Sequence, residues 1–298
     1  MNPRRHGAPV LGGRAVAKWW CRMRPGVTAD NMGKPTLAVI EARVRGLIAR
    51  FEEYLASFDR DPPFTDEQLS HHLETCTLRA EIGNVARAAV NERFLKSLYE
   101  TLRSWRMQMR GARLVPWAKF RDAFERSAAD IASLEGCRLD APDLEATDAA
   151  NRVWRLMEKL AISENVSRLV SGTKALHHLL PELVVPIDRA YTGALFGWNN
   201  YDWQTAQRKT LRFAFEVFSR VARETRARNY VGDRWRSSYT KLIDNAVVGF
   251  CRRHLLDEGS HRRALEAKAR ELGIWEEVET EARRRAEEIL LRRRTSHP

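Results

Sequence analysis

The sequence predicts an all-α protein: a two-lobed helical bundle preceded by a flexible basic N-terminal tail. Three observations predict it. From Leu37 onwards apolar residues recur at intervals of three and four, which places them on one helical face. Helix start and stop residues punctuate that pattern at regular intervals. No alternating strand pattern longer than four residues occurs. The motifs GxGxxG, GxxxxGK[ST] and HExxH are also absent, which argues against a nucleotide-binding α/β fold and a zinc protease.

Leu37, Ile40, Val44, Leu47, Phe51 and Leu55 share one face of the first helix, which Asp61-Pro62-Pro63 ends. Thr65 has the character of an N-cap, with Gln68 placed for a capping box and Phe64 and Leu69 for a hydrophobic staple. That helix carries Leu69, Leu73, Cys76 and Ala80, and the next runs from Val85 to Trp105. Pro116 suits a first helical turn, and Phe120, Phe124, Ile131 and Leu134 face inward before Gly136 stops the helix. A joint containing Pro142 separates the N-terminal helical region, 35–140, from a second region, 141–256. In the second region Val153, Trp154, Met157 and Leu160 line a helix. Long helices are expected over 204–228 and 238–255. Residues 257–298 read as charged C-terminal helices, with ten basic and eight acidic residues between Arg262 and Arg294.

The 298 residues suffice for a sizeable core, and 44% are hydrophobic. No apolar run approaches the ~20 residues of a membrane span, and Gly12, Gly13, Arg14 and Lys18 interrupt any secretory signal, so a cytoplasmic protein with no membrane partner is expected. The four cysteines are scattered, which excludes a CxxC knuckle, and Cys76 reads as a small buried apolar residue. No metal and no cofactor are expected. The net charge is +12, and residues 1–34 contribute seven basic residues against Asp30 alone. Such an excess fits a polyanionic partner.

The most informative stretch runs from Val170 to Tyr191: VSGTKALHHLLPELVVPIDRAY. It reads as helix, Gly172-Thr173 turn, short helix, extended crossing at Val184-Val185-Pro186, then helix. Lys174 opens the second helix, and Asp188 opens the third as an N-cap. His177 and His178 are adjacent and point about 100° apart on a helix, so they do not chelate one metal together. Gly172-Thr173-Lys174 followed by Pro186-Ile187-Asp188 resembles the active hairpin of the helix-hairpin-helix DNA glycosylases. It also resembles a block found in a group of bacterial proteins similar to that fold. The resemblance implies a helix-hairpin-helix element in which Gly172 and Thr173 bind a DNA phosphate, Lys174 attacks the anomeric sugar carbon and Asp188 assists. The first hairpin glycine is Val170 here, the Lys-to-Asp interval is shorter than in the glycosylases, and the cluster cysteines of one branch are missing.

A nucleic-acid partner, DNA in the first instance, has separate support in the sequence. Between Arg208 and Lys241 ten basic residues stand against three acidic ones, and Phe213, Phe215, Phe218, Tyr230, Trp235 and Tyr239 interleave with them. Basic side chains contact phosphates, and exposed aromatics stack on bases. Candidate contacts are Arg226, Arg228, Arg234, Arg236 and Lys241, with His177, His178, Arg189 and Tyr191 beside the Lys174–Asp188 centre. The sequence thus suggests a base-excision glycosylase or abasic-site lyase. Two alternatives stay open: a non-catalytic nucleic-acid-binding module and a helical protein-interaction protein.

Overall fold

The computed structural model describes residues 35–107, 113–165 and 168–256. The basic tail expected over 1–34 and the charged helices expected over 257–298 lie outside the described residues. Those described form twelve α-helices and two short 3-10 turns. An isolated bridge between Leu114 and Ser163 is the one β-type pairing among them.

The first expected helix is two. Helix α1, Leu37–Ala49, starts at Thr36, whose hydroxyl accepts from Val39 N–H. Arg50, at φ −132°, then interrupts it, and α2, Phe51–Arg60, follows. The break re-aims the apolar face so that Phe51, Tyr54, Leu55 and Phe58 all reach the core. Helix α3, Asp66–Ile82, carries the expected Thr65/Gln68 capping box. Phe64 and Leu69 join one apolar cluster with Phe58, Trp235 and Val248. The stretch expected as one helix from Val85 to Trp105 is also broken. It forms α4, Val85–Ala88, and α5, Glu92–Ser104, because the Asn91 side chain caps the second at Phe94 N–H. Helix α6, Trp117–Ala132, begins after Pro116.

Helices α7, Ala146–Leu160, and α8, Leu169–Leu179, lead to the extended segment 184–188 and to α9, Tyr191–Phe196. Then come α10, Asn200–Gln204, the long α11, Gln207–Thr225, and α12, Tyr239–His254. Two helices are buried nearly all round, α12 from Tyr239 to Cys251 and α8 from Ser171 to Leu179. A helix without a polar face is a central one. The others form a shell: α2 packs on α12, α11 on α7, and α3 and α5 on α8. Contacts thus run freely across residue 140, and residues 35–256 fall within one compact unit. No helix among the described residues is long and apolar enough to cross a membrane.

The main correction concerns the Gly172-Thr173 turn. The chain does not turn there; α8 runs unbroken through both residues. Gly172 N–H donates to Arg168 C=O at 2.8 Å. A Cβ on Gly172 would lie 2.4 Å from Met157 Sδ, so this glycine lets α7 and α8 approach closely. Lys174 accordingly sits inside α8 and does not open a helix.

Candidate functional site

The site is built where α8 meets the segment after it. The Thr173 hydroxyl donates to Leu169 C=O at 2.8 Å and accepts from Ile187 N–H at 3.1 Å. This pins the extended segment to the helix one residue before Lys174 on one side and one residue before Asp188 on the other. Pro186 keeps that segment extended, as the sequence implied. Lys174 Nζ and Asp188 Oδ2 consequently stand 3.4 Å apart, with the two side chains 11% and 25% exposed. Asp188 Oδ1 accepts from the N–H groups of Ala190, at 2.8 Å, and Tyr191, at 3.3 Å. The carboxylate therefore closes the turn that leads into α9 with one oxygen and meets the lysine with the other; the N-cap itself is Ala190, two residues later than the sequence suggested. The ammonium also lies 5.5 Å from the centre of the Trp105 ring.

A second ion pair lies nearby, wholly enclosed. Lys241 Nζ is 2.6 Å from Asp244 Oδ2, and the side chains are 2% and 7% exposed. Phe58, Phe64 and Trp235 surround the ammonium at 5.7, 5.1 and 5.2 Å. Burial raises the Asp244 carboxyl, against which Lys241 pulls most strongly; Asp188 and Lys174 are close enough to contribute as well.

Three histidines complete the centre. His177 Nδ1 donates to Val184 C=O at 3.0 Å. His178 Nδ1 faces its own helix at Lys174 C=O, 2.9 Å away, and His178 Nε2 lies 3.0 Å from His72 Nδ1. His72 Nε2 lies 2.8 Å from Ser237 Oγ. The His72 ring is sandwiched between Trp105 and Trp235. Cys76 Sγ, one turn along α3 from His72, is 3.9 Å from His72 Nδ1. Burial holds all three imidazoles well into the neutral range, with His178 down to about 4, and Lys241 adds to that effect at each. Burial also pushes the Cys76 thiol up to about 11.

A pH dependence follows. The unfolded chain binds protons on these histidines below the ordinary value of 6.5, whereas the folded chain excludes them until lower pH. Stability should therefore fall as the pH drops from 6.5 towards 4. The raised Asp244 carboxyl works in the opposite direction, but it is one group against three. Urea denaturation should give a lower midpoint at pH 5 than at pH 7, and an equal or higher midpoint would contradict the assignment.

The remaining sequence candidates are distributed unevenly. Gly172, Thr173, His177 and His178 are buried and line the centre from within. Lys241, expected at a nucleic-acid surface, is in the core. Tyr191 is half-buried, its phenol pushed up to about 12 by burial and the Asp188 charge. Arg189 is exposed and donates to Asn200 Oδ1 at 2.5 Å. Arg226 is exposed at the end of α11. Arg228 pairs with Asp140 and Glu182, Arg234 with Asp66, and Arg236 with Asp59. Three of the candidate arginines are thus met by acids remote in sequence. Of the interleaved aromatics, Phe215, Phe218, Trp235 and Tyr239 are core residues and offer no stacking face. The residues that sequence reasoning passed over are His72, Cys76, Trp105, Ser237 and Asp244. The four-residue interval between His72 and Cys76, one helical turn, was the signal the sequence held; the spacing of the others gave no sign that they would converge. The sequence matches no protein-family model, no curated protein and no solved structure.

Proposed function

We propose that this protein binds DNA and acts on a flipped or abasic nucleotide, with Lys174 as the amine nucleophile and Asp188 as its carboxylate partner. The observation that carries the reading is the convergence of these side chains, 3.4 Å apart and reached from the partly exposed Asp188 side. The resemblance of the Gly172–Lys174 and Pro186–Asp188 blocks to the glycosylases supports the same roles. At an abasic site the chemistry is balanced by these two groups and water. Asp188 takes the ammonium proton, and the freed amine adds to the C1′ aldehyde. Loss of water leaves a protein–DNA iminium. Arg189, exposed beside Asp188, would meet a backbone phosphate.

Borohydride reduces such an iminium to a stable amine, so incubation with abasic DNA and borohydride should give a covalent adduct. Lys174→Ala should abolish it. Asp188→Asn should slow it by about 10²-fold or more, the usual contribution of a positioned proton acceptor. An adduct unchanged in Lys174→Ala would refute the reading.

One observation favours a second reading, a nucleic-acid-binding module without catalysis. Helix α8 is continuous where a phosphate-binding hairpin would turn. On that reading wild type gives no adduct and Lys174→Ala leaves DNA affinity within about twofold. Charge reversal at Arg226 would then lower affinity and reduce the salt slope by about 1.

A further inference from the structure

We propose that His72, Cys76 and His178 form a zinc-binding site that ties α3 to α8. His72 and Cys76 are four residues apart and so share one face of α3. His178 comes from α8, and the donor atoms of all three residues lie within 4.8 Å of one another. Zinc–nitrogen bonds of about 2.0–2.1 Å and a zinc–sulfur bond of about 2.3 Å in a tetrahedron put two nitrogens about 3.4 Å apart and nitrogen and sulfur about 3.6 Å apart. Here His72 Nδ1 is 3.0 Å from His178 Nε2, and Cys76 Sγ is 3.9 Å from His72 Nδ1 and 3.7 Å from His72 Nε2. A rotation of the Cys76 side chain towards the Nδ1 edge of the His72 ring converts one set into the other.

Hydrogen bonds already fix the two imidazole rings. A histidine ligand ordinarily donates its other N–H to an oxygen, which fixes both tautomer and orientation. Both histidines have that oxygen. His178 Nδ1 faces Lys174 C=O at 2.9 Å, which leaves Nε2 with its lone pair directed at the cluster. His72 Nε2 faces Ser237 Oγ at 2.8 Å, so Nδ1 is the nitrogen left for the ion. Stacking between Trp105 and Trp235 keeps the His72 ring in that plane.

The proton balance is simple. Without an ion, Ser237 O–H donates to His72 Nε2, and His72 Nδ1–H donates to His178 Nε2. With one, the His72 proton moves to Nε2, the Ser237 hydroxyl turns to accept it, and the Cys76 thiol releases its proton to solvent. Lys241 faces the same cluster, and its charge would oppose a dication, but Asp244 at 2.6 Å neutralises it. Cys76 and Ser237 are both partly exposed, so the cluster borders solvent, from which a water would serve as the fourth ligand. A mixed imidazole–thiolate set suits zinc over calcium or magnesium.

This inference does not rest on the roles given to Lys174 and Asp188. Its test uses the full chain, stripped with a chelator and titrated with cobalt(II), which takes zinc's place and is coloured. Wild type should show a saturable thiolate-to-cobalt charge-transfer band that zinc displaces. Cys76→Ser should lose that band, and Ser237→Ala should keep it with affinity weakened about tenfold. Zinc should also raise the melting temperature of wild type but not of Cys76→Ser. Wild type without the band, or a band unchanged in Cys76→Ser, would overturn the proposal.

Discussion

Lys241→Met should destabilise the protein by about 3–5 kcal/mol, the cost of leaving one member of a buried ion pair alone. Asp244, 6% exposed, would lose the ammonium 2.6 Å away that opposes the effect of burial on its carboxyl. Lys174 is the next cation, but it is engaged with Asp188. The aromatic cage around Lys241 would also lose its cation–π contacts with Phe58, Phe64 and Trp235. The double variant Lys241→Met/Asp244→Leu should recover most of the loss, since replacing a whole buried pair by hydrocarbon is often neutral or better. Urea denaturation of the single and double variants checks this. A single variant within about 1 kcal/mol of wild type would show that the pair is not enclosed as described.

Gly249→Ala should cost about 2 kcal/mol net. Two effects compete at this position. Alanine favours a helix interior over glycine by about 1 kcal/mol. Against that, a Cβ at residue 249 would sit 2.2 Å from the Tyr54 carbonyl oxygen and 3.0 Å from its carbon. Those atoms belong to the backbone of α2 and cannot turn aside, so α2 and α12 must separate, an overpacking cost of up to about 3 kcal/mol. Gly232→Ala is the control, because a Cβ there meets nothing within 4 Å. Thermal melts should show a clear drop for the first and almost none for the second. Equal melting temperatures would mean that the α2–α12 contact is looser than described.

Both glycines that matter, Gly172 and Gly249, show what a sequence conceals. The Thr65/Gln68 box and the Asp61-Pro62-Pro63 stop were legible because each involves partners within four residues. The place of Asp188 ahead of α9 was legible as well, through the N–H groups of Ala190 and Tyr191 just after it, although the N-cap falls at Ala190. Gly172 was read as a turn because glycine inside a helix is locally unfavourable. Its reason is Met157 on another helix, which no local pattern reveals. The break at Arg50 was hidden by apolar spacing that continues through it. Charge was misleading for the same reason. Arg228 and Arg236 look like free cations in the sequence, but their acids, Asp140, Glu182 and Asp59, lie far along the chain. The tandem of Gly-Thr-Lys and Pro-Ile-Asp did signal a convergence. The element joining them is the Thr173–Ile187 hydrogen bond on a continuous helix rather than a hairpin.

The reactive role of Lys174 is tested most directly by locating the bond it forms. Abasic DNA is incubated with the full chain under borohydride, the adduct is digested, and the modified peptide is sequenced by mass spectrometry. The account predicts a reduced sugar remnant on Lys174, lost in Lys174→Ala and slow to form in Asp188→Asn. A remnant on any other amine, or no adduct from well-folded wild type, would contradict it.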